Sequence, residues 1–278
     1  MFHVTSNADA PAEQSHHLPC DLPWGKRSRA HWALQGDGSV ILFVHGFGGA
    51  SETTWHAFPA MLPREPKCRS TDVVFYGYDS LRSGVIALAT RFREFLQVVL
   101  ESPSDAINPT IDFGRRPKGF QYKKVIVVAH SLGAVVARRA LLDLAQLDTP
   151  GLDRVRLVLF APAHLGADIL PLAREALGVI RLVPIAALAS WSYRALRDLD
   201  PRPSPVLQQL MAETQKLTAT PPSPHIARVV VHGYKDRIVA QQQFCADPLA
   251  KFEPKNHVAL CKPDAHYTNP IDYVMGAL

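Results

Sequence analysis

Long uninterrupted apolar runs are missing from this chain. The most apolar extended stretch, Gly178 to Trp191, is interrupted by Arg181 and Pro184, and it falls short of the roughly 18–20 residues needed to cross a bilayer. A membrane anchor is therefore not expected. Met1 to Gly25 also lacks the basic opening and apolar core of a signal peptide, which makes a cytoplasmic location the expectation. Cysteine is scarce. Cys20, Cys68, Cys245 and Cys261 are widely spaced and form no C-x-x-C pair, so a small disulfide framework is excluded and reduced thiols are expected. There is no H-E-x-x-H, and the twelve histidines form no convincing ligand set; neither a metal nor a cofactor is called for. Net charge is only +5, the arginines are scattered, and no nucleic-acid module is present. Nucleic acid is thus not an expected partner. The basic pI of about 9.1 is compatible with peripheral contact to anionic lipid, but fits plain solubility equally well. The oligomeric state stays open.

What is present is a chain of 278 residues with 47% hydrophobic content, enough for one sizeable core. Strand patterns at Val40–Val44, Val73–Tyr78, Val125–Ala129, Val155–Phe160 and Arg228–Val231 alternate with helical stretches. That alternation predicts an α/β fold with a mostly parallel sheet flanked by helices. Between the second and third strands, Leu81, Val85, Leu88, Phe92, Phe95 and Val99 recur at helical spacing, predicting one buried face over Leu81–Leu100. Ser102–Tyr122, with proline, glycine and charge, reads as a loop. Residues 1–35 read as a flexible leader, docked through Trp24 or Trp32, with the first two strands of the fold reduced or absent. Residues 36–278 then form a single domain.

Two glycine-bearing turns carry the chemistry. The apolar run Val125–Ala129 meets His130-Ser131-Leu132-Gly133-Ala134 and continues as an amphipathic helical pattern to Leu147. A serine on such a strand-to-helix turn presents its hydroxyl above the sheet, where the helix N-terminus aims backbone N–H groups. Ala129 stands where the G-x-S-x-G pattern has glycine. A helix-capping serine is the plainer alternative. Upstream, Val40–Val44 ends in His45-Gly46-Phe47-Gly48-Gly49. This loop reads as one half of an oxyanion hole through the N–H of Phe47, with Leu132 as the other half. A phosphate-binding turn is the competing reading, but G-x-G-x-x-G and a Walker lysine are both absent.

With these motifs the chain resembles the α/β-hydrolase superfamily from about Val40 onward. The resemblance implies a chain order of nucleophile, acid, histidine. After the strand at Arg228–Val231, Gly233-Tyr234-Lys235-Asp236-Arg237-Ile238-Val239 places Asp236 where the superfamily has its acid; a turn aspartate bonding its own backbone is the plainer reading. Either His257 or His266 could then reach Ser131 on distance alone. The run Asn256-His257-Val258-Ala259-Leu260-Cys261-Lys262-Pro263, with Phe75–Ser80 and Phe160–Ala167, resembles a lipase/esterase branch. That branch includes the serine active site-containing protein of mitochondria and relatives of the GPI inositol deacylase. By that resemblance His257 is the base and His266 a surface residue. His45, His130, Gly46 and Gly133 support the site from behind, and His164 and His232 pack or bond locally.

Residues 167–205 follow the fourth expected strand, where the superfamily often inserts a lid. They read equally as a helical cap over an acyl pocket or as ordinary core helices. The expectation is a carboxylester hydrolase acting on a small-molecule ester or lipid through an acyl-enzyme. Acyl transfer, thioester or amide hydrolysis by the same residues, and a hydrolase-like binding or signalling module, are the alternatives.

Overall fold

The computed structural model describes residues 16–106, 116–117, 119–177, 193–201, 204–218 and 223–278. Two short strands come first, β1 (His17–Asp21) and β2 (Arg29–Ala33). Six more follow: β3 (Ser39–Val44), β4 (Thr71–Tyr76), β5 (Lys124–His130), β6 (Val155–Phe160), β7 (Ala227–Gly233) and β8 (Lys251–Glu253). They form one sheet in the order β1-β2-β4-β3-β5-β6-β7-β8. β1 and β2 run antiparallel to their neighbours and the other pairs are parallel. Every residue of β3 and β4 is buried, as a parallel sheet covered on both faces requires.

The hairpin corrects the expectation of a leader with reduced or absent strands: residues 17–33 are part of the sheet. Residues 1–15 lie outside the described residues. Pro19 and the polar ends hid β1, yet an edge strand tolerates a proline because one side of its backbone needs no partner. A buried carboxylate in β4 ties the hairpin down. Asp72 accepts the Ala33 N–H at 2.9 Å, the Arg116 guanidinium at 2.6 Å and the Tyr122 hydroxyl at 2.6 Å. Arg116 also lies 4.1 Å over the Trp32 ring. Burial raises the Asp72 carboxyl above its ordinary value in spite of Arg116.

Helices α1 (Phe58–Met61), α2 (Val85–Glu101), α3 (Pro103–Ala106), α4 (Leu132–Gln146), α5 (Ile169–Leu177), α6 (Arg194–Asp198), α7 (Pro205–Thr218) and α8 (Asn269–Met275) flank the sheet. α2 buries Leu88, Phe92, Phe95 and Val99 on one face and packs against α4. It starts later than the apolar spacing predicts. The Asp79 carboxylate accepts the Leu81 and Arg82 N–H groups at 3.3 Å, a local turn that competes with helix, and Asp198 of α6 caps the Val85 N–H at 2.8 Å. One helical turn, α3, interrupts the expected loop at 102–122, of which 107–115 and 118 lie outside the described residues. Of the cap expected at 167–205, α5 and α6 are described; 178–192 and 202–203 are not. No described helix is long and apolar enough to cross a membrane, and the four cysteines are free.

Candidate active site

In an open parallel sheet the loops at the carboxyl ends of the strands converge on one edge. Here the loops after β3, β5 and β7 do so. Ser131 follows β5 directly, with φ 54° and ψ −121°. A non-glycine residue at positive φ is strained by about 1–3 kcal/mol and persists only where its surroundings over-determine it. The restraint is visible. Ser131 N–H donates to Phe160 O at 3.1 Å, and its carbonyl accepts the Ala134 N–H at 3.0 Å. A Cβ on Gly133 would lie 2.2 Å from Val44 O and 2.4 Å from His45 O. The first turn of α4 therefore packs straight onto the β3 backbone, a contact only glycine permits. Ala129, buried within β5 opposite Val44 and Leu159, accommodates its extra methyl at the strand end.

Ser131 makes no capping bond to its own helix. Its hydroxyl lies instead 2.9 Å from His257 Nε2, while His257 Nδ1 lies 2.8 Å from Asp236 Oδ2. A carboxylate only accepts, so Nδ1 carries the ring proton and Nε2 is free to accept from the serine hydroxyl. Asp236 bonds both to His257 and to its own turn. Its second oxygen accepts the Ile238 and Val239 N–H groups at 2.8 and 3.4 Å, shaping its own turn. Burial would raise this carboxyl, but the His257 hydrogen bond and charge, together with those two N–H groups, hold it below the ordinary carboxylate range. All three residues are buried. His266 is exposed, with its N–H turned onto Asp264 Oδ1 at 2.8 Å, and the fold does not bring it to Ser131.

Two backbone N–H groups beside the serine, those of Leu132 and Phe47, have no acceptor among the described residues. Leu132 opens α4, so its N–H has no intrahelical acceptor. The Phe47 N–H has no partner among the described residues, whereas its neighbours are engaged: Gly48 N–H on Ser80 Oγ at 2.9 Å and Gly49 N–H on Gly46 O at 3.2 Å. A Cβ on Gly46 would lie 3.0 Å from both His130 Nδ1 and the Ser131 Cβ, so glycine lets the two loops touch.

His45 and His130 brace these loops. The His45 ring stacks on Tyr78 at 4.1 Å and 7°; its Nε2 accepts the Tyr78 N–H at 3.2 Å and its Nδ1 donates to Gly46 O at 2.8 Å. The Tyr78 hydroxyl donates to His45 O. His130 donates from Nε2 to His257 O at 3.0 Å. Burial pushes His45 down to about 4, and burial with the His257 charge pushes His130 down to about 3. Both rings are neutral braces at physiological pH. His164 accepts from Arg138 Nε at 3.3 Å, while the His232 ring lies tilted 5.9 Å from that of Phe252. Ser80 and Tyr78 were not singled out as loop-holding residues by sequence; their presence in Phe75–Ser80 beside a strand end was the available signal.

Two open clefts flank the Ser131–His257–Asp236 line. One, of about 380 Å³, is lined by Pro171, Arg174, Lys235, Arg237, Ile238, Asn256 and His257. The other, of about 220 Å³, lies over the Gly46–Ala50 loop and includes His130 and Lys262. Among the described residues no group of three or more His, Cys, Asp or Glu is placed to hold a metal ion.

An α/β sheet whose polar site gathers at the strand ends around a serine elbow defines a class of fold shared by many hydrolases. The family model described as alpha/beta hydrolase family matches residues 41–271, and the chain belongs to that family. No curated protein matches it. Among solved structures, the mature Bacillus licheniformis lipase BlEst2 is similar in fold at a TM-score of 0.53 and 13% identity, covering 96% of this chain and 100% of its own. A hydrolase from Pseudomonas aeruginosa PA01 is similar at 0.52 and 16%, covering 95% and 100%. The peroxisomal alpha-beta-hydrolase Lpx1 of Saccharomyces cerevisiae is similar at 0.50 and 12%, covering 94% and 88%.

Proposed function

We propose that this protein is a serine hydrolase that cleaves carboxylic esters through an acyl-enzyme. The observation that carries the reading is the hydrogen-bonded line Ser131–His257–Asp236, 2.9 and 2.8 Å long, on a strained elbow. His257 Nε2 takes the hydroxyl proton as Ser131 Oγ attacks the ester carbonyl carbon. The carbonyl electron pair moves to its oxygen, where the N–H groups of Phe47 and Leu132 receive it. Collapse breaks the bond to the alcohol oxygen, which leaves with the proton held by His257. Water then gives a proton to His257 and its oxygen attacks the acyl group. The carboxylic acid departs, and Ser131 regains its proton. Asp236 stays ionised throughout and steadies the imidazolium.

The apolar run 178–191 continues the chain beyond α5, whose Pro171 and Arg174 line the larger cleft. Its composition supports an apolar acyl group, as in a lipid. A fluorophosphonate probe should label the protein, and Ser131→Ala should abolish labelling together with hydrolysis of p-nitrophenyl esters. Labelling that survives the substitution refutes the nucleophile. A series of acyl chain lengths then measures how apolar the acyl arm is: rates that do not rise beyond acetate count against a lipid-like acyl group.

A further inference from the structure

The larger cleft beside His257 carries three cations, Arg174, Lys235 and Arg237, and no carboxylate among its described lining residues. All three side chains are exposed, and none takes part in an ion pair or hydrogen bond among the described residues. They come from separate segments: Arg174 from α5, the other two from the loop after β7. The smaller cleft adds Lys262, again with no carboxylate among its described lining residues. Formal net charge is +5 for the whole chain, so four unpaired cations around one site are a concentration of charge that the average does not require. Some basic side chains elsewhere do have acidic partners, as in Lys26–Asp79 and Arg29–Glu52, and others, such as Arg228, have none among the described residues; what sets Arg174, Lys235 and Arg237 apart is that they line one cleft beside His257.

Unpaired guanidinium and ammonium groups in a cleft focus a positive potential and attract anions, and the guanidinium fork fits carboxylate and phosphate oxygens. We infer that the substrate is an ester bearing an anionic group of carboxylate or phosphate type, which Arg174, Lys235 and Arg237 hold while the ester carbonyl lies at Ser131. This deepens the ester-hydrolase reading and rests on it. The anion sets affinity and orientation, and the three cations take no part in the bond-making steps.

Two substrate pairs test the idea. Mono-p-nitrophenyl glutarate and p-nitrophenyl valerate place a charge or a methyl at the end of equal acyl arms. Then 4-acetoxybenzoate and its methyl ester do the same on the alcohol side, read by acetate release. In at least one pair the ratio of kcat/KM for the anionic to the neutral ester should fall about tenfold in Arg174→Gln/Lys235→Gln/Arg237→Gln. Raising the salt should lower that ratio in the unsubstituted protein but not in the triple variant, because screening acts on exposed charges. Arg228→Gln, which removes an exposed cation from the opposite end of the sheet, should leave the ratio where it was. Circular dichroism verifies folding of the triple variant, and Arg237→Gln alone, with a smaller fall, provides a second reading. Ratios unmoved in both pairs overturn the inference and leave the hydrolase reading intact. Loss of binding to phosphatidylglycerol vesicles with unmoved ratios also overturns it and makes the cluster a membrane contact. If no ester is cleaved and the fluorophosphonate does not label Ser131, the hydrolase reading fails, and this inference falls with it.

Discussion

At the floor of the site Ser131, Asp236 and His257 are buried and each is held through both side chain and backbone. At its rim the side chains of Arg174, Lys235 and Arg237 are exposed and bonded to nothing among the described residues. The floor spends conformational strain and burial of polar groups on a fixed geometry, which is what electrostatic preorganisation needs. The rim keeps its charges solvated and adjustable, which suits recognition rather than bond-making. Changes at the floor should therefore act on kcat and on folding, and changes at the rim on the choice between substrates.

The contrast breaks most sharply at Asp236. Asp236→Asn keeps the shape of the side chain but removes the carboxylate that meets His257 Nδ1, and on the proposed mechanism kcat should fall by about 10⁴-fold with esters of any charge. A loss confined to anionic esters would move Asp236 to the rim. Gly133→Val probes the packing beneath. With a Cβ 2.2 Å from Val44 O, overpacking should cost about 3 kcal/mol or more, seen as a lower urea midpoint; an unchanged midpoint would show that α4 can move off β3.

The buried histidines of the floor should also make stability depend on pH. Histidine ordinarily titrates near 6.5, whereas His45 is held at about 4 and His130 at about 3. Between those values the unfolded chain binds protons that the native chain does not, so unfolding becomes harder as pH rises. Their contribution is full above about pH 6.5 and is lost as pH falls toward 4, with a slope of up to about 1.4 kcal/mol per pH unit for each ring. The urea midpoint should be lower at pH 5 than at pH 7, and His130→Gln should flatten the difference. A midpoint that does not change between pH 5 and 7 would mean the rings are not neutral in the fold. The smallest effect is expected from Ser80→Ala, which frees the Gly48 N–H and loosens the loop that carries Phe47. A few-fold drop in kcat with KM held would place Ser80 with the floor; a change in KM alone would not.

Much of the floor is legible in the sequence, because its parts are local. A buried strand followed by glycine-bearing turns, as at Val40–Gly49 and Val125–Gly133, is a short-range signal, and the glycines answer to close backbone approaches at Gly46 and Gly133. The choice between His257 and His266 was not decidable from spacing. A local turn separates them: the N–H of Asp264 and the carbonyl of Tyr267 pair with each other at 3.1 Å and leave His266 outside. β1 has little sequence signal because a five-residue edge strand containing Pro19 has little apolar periodicity of its own, and β2 is tied through Ala33 to Asp72, far along the chain. The rim was invisible for a similar reason. Arg174 and Arg237 look like scattered charges until α5 and the β7 loop bring them to one cleft.

The hairpin bears on where the chain can be cut. The matched family segment starts at residue 41, after β1 and β2. A chain shortened to that segment would retain the whole Ser131 line but strip the cover from β4, a fully buried strand of sequence Thr-Asp-Val-Val-Phe-Tyr. Its freed N–H and C=O groups would be a template for another chain's strand, and Asp72 would lose the Ala33 donor. The hairpin thus covers an edge that edge-to-edge pairing could otherwise use, and the sheet reaches beyond the segment that the family model matches.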